Sequence, residues 1–117
     1  MSALESCLFC GIYEKKIPAK IIAQNDRVLA FHDINPVAEF HALVIPKLHI
    51  ANLNELSADN ASVLADMMLM AKEIAFQFGM NTNGYRVVLN TEKGAGQTVF
   101  HLHAHVLGGR NFSWPPG

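Results

Sequence analysis

Five consecutive residues, His101-Leu102-His103-Ala104-His105, place an imidazole at every second position of an apolar run. That period belongs to a β-strand, whose successive side chains point to opposite faces. The three rings then share one face at roughly 7 Å spacing, with the leucine and alanine on the other. The chain must therefore supply a sheet with one face for the core and the other for chemistry. Burying three polar rings as packing would instead require three sets of hydrogen-bond partners. Gly108-Gly109 ends the run where a strand stops.

The surrounding pattern predicts what this strand packs with. Leu8, Phe9, Ile12 and Tyr13 fall at helical spacing, giving a short helix over 6–15 that Ile17-Pro18 terminates. Residues 20–23 and 28–31 read as strands around a polar Asn25-Asp26 turn, and 41–45, bounded by Pro36 and Pro46, as a third. Residues 58–78 predict the long helix, with Ser57 as N-cap and Gly79 free to adopt the left-handed conformation at its end. Val63, Met67, Met70, Ile74 and Phe78 make one stripe, while Leu64, Met68, Ala71 and Ala75 widen the apolar face beyond what one sheet covers. The excess points to gap-filling core or to a second partner. Residues 85–89 and 99–107 complete the strands, joined by a loop containing Gly94 and Gly96. Strands before and after one main helix predict an α+β class: a five-stranded antiparallel meander with one long and one short helix.

Composition narrows the function. A chain of 117 residues, 50% hydrophobic, fits one domain over 1–117. A net charge of -1 with scattered basic residues argues against nucleic acid or an anionic membrane as partner, so any phosphate must be recognised locally. With neither a signal-peptide pattern nor a run near the ~20 apolar residues of a membrane span, a cytoplasmic location is expected. In a reducing compartment Cys7-x-x-Cys10 suggests a metal site or a redox pair, and the βαβ context of a thioredoxin-like pair is missing.

Three aligned imidazoles could bind a metal, or one could attack an electrophile while its neighbours move protons and stabilise charge. The flanking residues favour the second. Asn90, Gly96, Gln97 and Thr98 supply amide, hydroxyl and closely approachable backbone donors suited to phosphate oxygens, and no carboxylate adjoins the run.

The stretch from Gly96-Gln97-Thr98 through His101-Leu102-His103-Ala104-His105 to Gly108-Gly109-Arg110 resembles the signature of the histidine-triad superfamily. So do Ile17-Pro18-Ala19-Lys20-Ile21-Ile22, Leu29-Ala30-Phe31-His32-Asp33-Ile34-Asn35-Pro36, His41-Ala42-Leu43-Val44-Ile45-Pro46-Lys47-Leu48-His49-Ile50 and Trp114-Pro115-Pro116-Gly117, which together are similar to its nucleotide-binding branch.

That resemblance implies a purine nucleoside phosphoramidate hydrolase needing no cofactor for catalysis. His103 would attack the α-phosphorus, giving a nucleotidyl-histidine that water resolves to AMP or GMP. His101 or its backbone would orient His103. His105 would contact phosphate oxygens or help protonate the departing amine, and His41 would complete the proton network. Asn90 and Thr98, beside Gly96 and Gln97, would hold the phosphate and leaving-group region. Asp33 would accept from the ribose hydroxyls. Phe9, Ile12, Ile17, Phe31 and Ile34 would form the purine slot, with Leu8 and His32 at its edge. Cys7, Cys10, His49 and His101 match the ligand count of a structural zinc, which some bacterial members carry. The family dimerises into a ten-stranded sheet, with the Trp114-Pro115-Pro116-Gly117 tail reaching the partner's site. The alternatives are a nucleotide-binding scaffold with incidental hydrolysis, or a dinucleoside polyphosphate hydrolase. Gly108-Gly109-Arg110 and the tail argue against the latter.

Overall fold

The computed structural model describes residues 7–117, so the first residue of the helix expected over 6–15 lies outside the described residues. Helix α1 spans Leu8–Tyr13 and is capped by Cys7, whose sulfur accepts from the Cys10 amide. Strands β1 (Ile21–Gln24), β2 (Val28–His32) and β3 (Phe40–Pro46) follow, then α2 (Ser62–Gln77), a short α3 (Met80–Asn83), β4 (Tyr85–Val88) and β5 (Ala104–Gly108).

All pairings are antiparallel, in the order β1-β2-β3-β5-β4. The expected meander is interrupted once. The connection from β3 carries α2 across the sheet, so β4 lies at the edge and β5 fills the place beside β3. Side-chain alternation sorts the two faces. Val28, Ala30, Ala42, Val44, Ala104 and Val106 pack with Val63, Met67, Met70 and Ile74 of α2. Leu29, Phe31, Leu43 and Ile45 pack on the opposite face with Phe9 and Ile12 of α1.

Two sequence expectations fail locally. The long helix starts at Ser62, not 58, because Ser57 organises a separate turn: its hydroxyl accepts from the Asp59 amide and its carbonyl from the Asn60 amide. Gly79 does take the left-handed conformation, with φ 75°.

The strand expected over 99–107 is regular only from Ala104. The register pairing Val44 with Ala104 would next set Pro46 against Leu102, and proline has no N–H to extend a ladder. Residues 97–102 are instead stitched to 46–52 by other bonds. The His101 ring donates to the Pro46 carbonyl at 2.8 Å, the Leu102 amide to Ile50 at 2.6 Å, and the Gln97 side chain to Ala51 at 2.7 Å.

Candidate active site

His101 and His103 thus stand on irregular extended chain and His105 on β5, yet all three rings reach the α1 side of the sheet. His101 and His103 pack edge-on against Phe9, with ring centroids 6.0 and 5.0 Å away, and His105 lies 5.1 Å from His103. Burial lowers the basicity of all three, His101 and His105 to about 4, so the rings are uncharged near neutral pH. The proton on each neutral ring is then located by its fixed partner.

For His103 that partner is the His101 carbonyl, 2.7 Å from Nδ1. A carbonyl only accepts, so Nδ1 carries the proton and Nε2 holds a free lone pair. For His101, Nε2 donates to Pro46, which leaves a lone pair on Nδ1. This nitrogen faces Cys7 Sγ at 3.3 Å, Cys10 Sγ at 3.5 Å and His49 Nδ1 at 3.1 Å, while Cys10 Sγ lies 3.3 Å from His49 Nδ1. A tetrahedral ion with Zn–N near 2.0 Å and Zn–S near 2.3 Å separates its donors by roughly 3.3–3.8 Å. The four ligand atoms, all within 4.8 Å of one another, fit such an ion. Burial and the Cys7 thiol push the Cys10 thiol up to about 12.

A second cluster, Asp33, His41 and His105, gathers equally closely. Here His41 Nε2 lies 2.9 Å from His105 Nδ1 and 3.3 Å from Asp33 Oδ2, while His41 Nδ1 accepts from the Val37 amide at 3.1 Å. The lone pair of His41 is already bound to that amide, so this cluster is a hydrogen-bonded chain and not a metal cage.

Between the triad and α1 opens a cavity of about 440 Å³, within the range of small-molecule sites. Phe9, Ile12, Ile17 and Phe31 line it as expected, together with Leu43 and Val99. Asp33, His41, Thr98, His103 and His105 form its polar end, and Ile34, 88% exposed, stands at the rim.

Several expected contacts are relocated. The His32 ring packs against Phe40 and Phe78 on the α2 side, while the residue itself borders the cavity at its edge. Gln97 is engaged within its own loop: its amide group donates to Ala51 and Val99, and its carbonyl oxygen accepts from the Glu92 amide and Asn52. Its side chain is therefore a scaffold for the approach to the triad and not a phosphate donor. Gly96 closes the preceding turn at φ 96°, outside the cavity lining. Asn90 does not line the cavity either. The ladder pairing Val88 with His105, carried two residues further, sets it opposite His103.

The sheet with its alternating histidines, one of them presenting a free nitrogen to an apolar cavity, defines a histidine-triad domain. The sequence profile of the HIT domain matches residues 14–112, and the chain belongs to that family. It is 50% identical over 113 residues to an uncharacterized HIT-like protein of Synechococcus elongatus, covering 97% of this chain and 98% of that one. It is 42% identical over 106 residues to the purine nucleoside phosphoramidase of Escherichia coli, covering 91% and 89%. The crystal structure of a HIT family hydrolase from Legionella pneumophila superposes with a TM-score of 0.92 at 46% identity, covering 95% and 99%.

Proposed function

We propose that this protein is a hydrolase that cleaves the P–N bond of purine nucleoside phosphoramidates through a nucleotidyl-His103 intermediate. The observation that carries the reading is the His103 ring, 8% exposed, with Nδ1–H held by the His101 carbonyl and Nε2 left without a partner among the described residues. An uncharged imidazole oriented in this way is a nucleophile at neutral pH. The apolar slot takes the base, whose flat faces need only van der Waals contact, so adenine and guanine are weakly distinguished. Asp33 would accept from ribose hydroxyls, and His105 and Thr98 would steady the phosphoryl end from the cavity wall, with Asn90, opposite His103 on the neighbouring segment, behind them.

In the first step an Nε2–P bond forms and the P–N bond breaks. The departing nitrogen takes up one proton from solvent water and leaves as an amine, and the water that attacks in the second step gives one proton back. Water then attacks the same phosphorus, the Nε2–P bond breaks, and a nucleoside monophosphate is released. The His101 carbonyl acts in both steps, stabilising the positive charge that the substituted His103 ring acquires. The relative named as a purine nucleoside phosphoramidase supports this substrate class.

We further propose a structural zinc on Cys7, Cys10, His49 and His101. It would crosslink α1 to the two segments whose irregular backbone positions the triad, supplying no chemistry to the reaction. A homodimer is proposed too, since β4 stands at the sheet edge and Leu69 and Phe76 of α2 are exposed.

The test is turnover of adenosine 5'-phosphoramidate by the purified protein. AMP release by wild type and its loss in His103→Ala are expected. Tight AMP binding without turnover would make the chain a nucleotide-binding module instead.

A further inference from the structure

The connection between β2 and β3 folds back on the site it borders. The Asn35 amide donates to Asp33 Oδ1 at 2.8 Å, the Asp33 amide to the His41 carbonyl at 3.0 Å, and the Val37 amide to His41 Nδ1 at 3.1 Å. A backbone amide can only donate, so His41 Nδ1 carries no proton. The proton of the neutral ring is then on Nε2, shared between Asp33 Oδ2 and His105 Nδ1. With 2.9 Å between the two ring nitrogens, only one of them can be protonated, so His105 Nδ1 is bare and His105 Nε2 bears the proton. That last nitrogen has no partner among the described residues, and His105 lines the cavity.

The same geometry limits what the pair can become. If an added proton makes His41 the imidazolium, Nδ1 is protonated. If it makes His105 the imidazolium, the His105 Nδ1–H faces a bare His41 Nε2, and the single proton of His41 must again move to Nδ1. Every charged form that keeps the ring-to-ring contact therefore sets a proton against the Val37 N–H.

We infer that the Val37 backbone N–H is a positioning group that locks the His41–His105 pair into one uncharged proton arrangement, holding His105 Nε2–H at the cavity as a hydrogen-bond donor and not as a net acid. Through this lock the β2–β3 connection, with Ile34 at the cavity rim, is tied to the proton state of the reacting site. The catalytic consequence rests on the phosphoramidase reading: His105 serves the phosphoryl oxygens, and the proton of the departing amine comes from elsewhere than this pair.

The proton arrangement itself can be read without substrate, by long-range ¹H–¹⁵N correlation of the histidine rings. In wild type, and in Val37→Ala, which keeps the amide, Nδ1 of both His41 and His105 is expected to be unprotonated and both Nε2 protonated. Val37→Pro removes the donor. The His41 Nδ1 signal is then expected to move towards the protonated type. The protonation midpoint of the pair should rise by about one pH unit or more, since Asp33 and His103, the other titratable groups beside it, are unchanged. A protonated His41 Nδ1 in wild type would overturn the inference even if Val37→Pro fails to fold. So would a folded Val37→Pro protein with an unaltered signal and midpoint. Absence of phosphoramidate turnover together with the expected tautomers would sink the functional reading alone, and turnover with a protonated His41 Nδ1 would sink only the lock.

Discussion

Two histidine clusters share one face of the sheet and have opposite chemistry. At Cys7, Cys10, His49 and His101 the Pro46 carbonyl accepts from the outer N–H of His101, so its lone pair turns inward among the sulfurs, as the proposed zinc requires. At Asp33, His41 and His105 the Val37 amide occupies the lone pair of His41, so an N–H turns inward and is shared between Asp33 Oδ2 and His105 Nδ1. His103 lies between them, its Nδ1–H donating to the His101 carbonyl and its Nε2 lone pair facing the cavity. The proposed ligand, donor and nucleophile are one residue type, distinguished by which backbone atom stands behind the ring.

The comparison breaks most severely at His103. His103→Ala is expected to lower kcat/KM for adenosine 5'-phosphoramidate by at least about 10⁴-fold while AMP still binds, measured by steady-state kinetics beside calorimetric titration. A smaller loss would move the nucleophile elsewhere.

His101→Ala strikes the ligand cluster. It removes one donor of the proposed zinc site and leaves a fully buried space beside the Pro46 carbonyl. Denaturant unfolding is expected to show a loss of about 3 kcal/mol, and elemental analysis a loss of bound zinc relative to wild type. Zinc retained at wild-type stoichiometry would exclude His101 as a ligand.

Gln97→Ala sharpens the contrast between scaffold and site. Asn52 and the Glu92 amide lose the acceptor they share, and a destabilisation of about 1–2 kcal/mol is expected in urea melts. A weakened KM without loss of stability would return Gln97 to the phosphate.

The smallest effect is on pH. Burial, with His103 and His41 beside it, lowers His105 from its ordinary 6.5 to about 4. Below pH 6.5 the unfolded chain binds a proton that the folded ring refuses. The contribution of the neutral ring is therefore complete above 6.5 and lost as pH falls towards 4. Unfolding free energies at pH 7 and pH 5 should differ less in His105→Asn than in wild type; an equal difference would assign the acid sensitivity to other groups.

The triad and the cysteine pair were legible because their signals are local, alternation along 101–105 and a C-x-x-C spacing at the start of α1, whereas the slot and the gathering of His49 and His101 with the cysteines were implied only by the family resemblance. The position of His32 was legible in principle, since period two along β2 groups it with Val28 and Ala30, opposite Phe31. The early end of β5 also had its signal in Pro46, but only a known register shows that proline meeting Leu102. Gln97 had none. Its bonds to Ala51 and Asn52 join positions more than forty residues apart in a loop of no fixed pattern.

The most direct test of the central assignment is acid-quenched intact mass spectrometry during turnover of adenosine 5'-phosphoramidate. A transient adduct of one adenylyl group, mapped to His103 by peptide fragmentation and absent from His103→Ala, is expected. AMP release with no adduct at any quench time, or an adduct on another residue, would contradict the assignment of His103 as nucleophile.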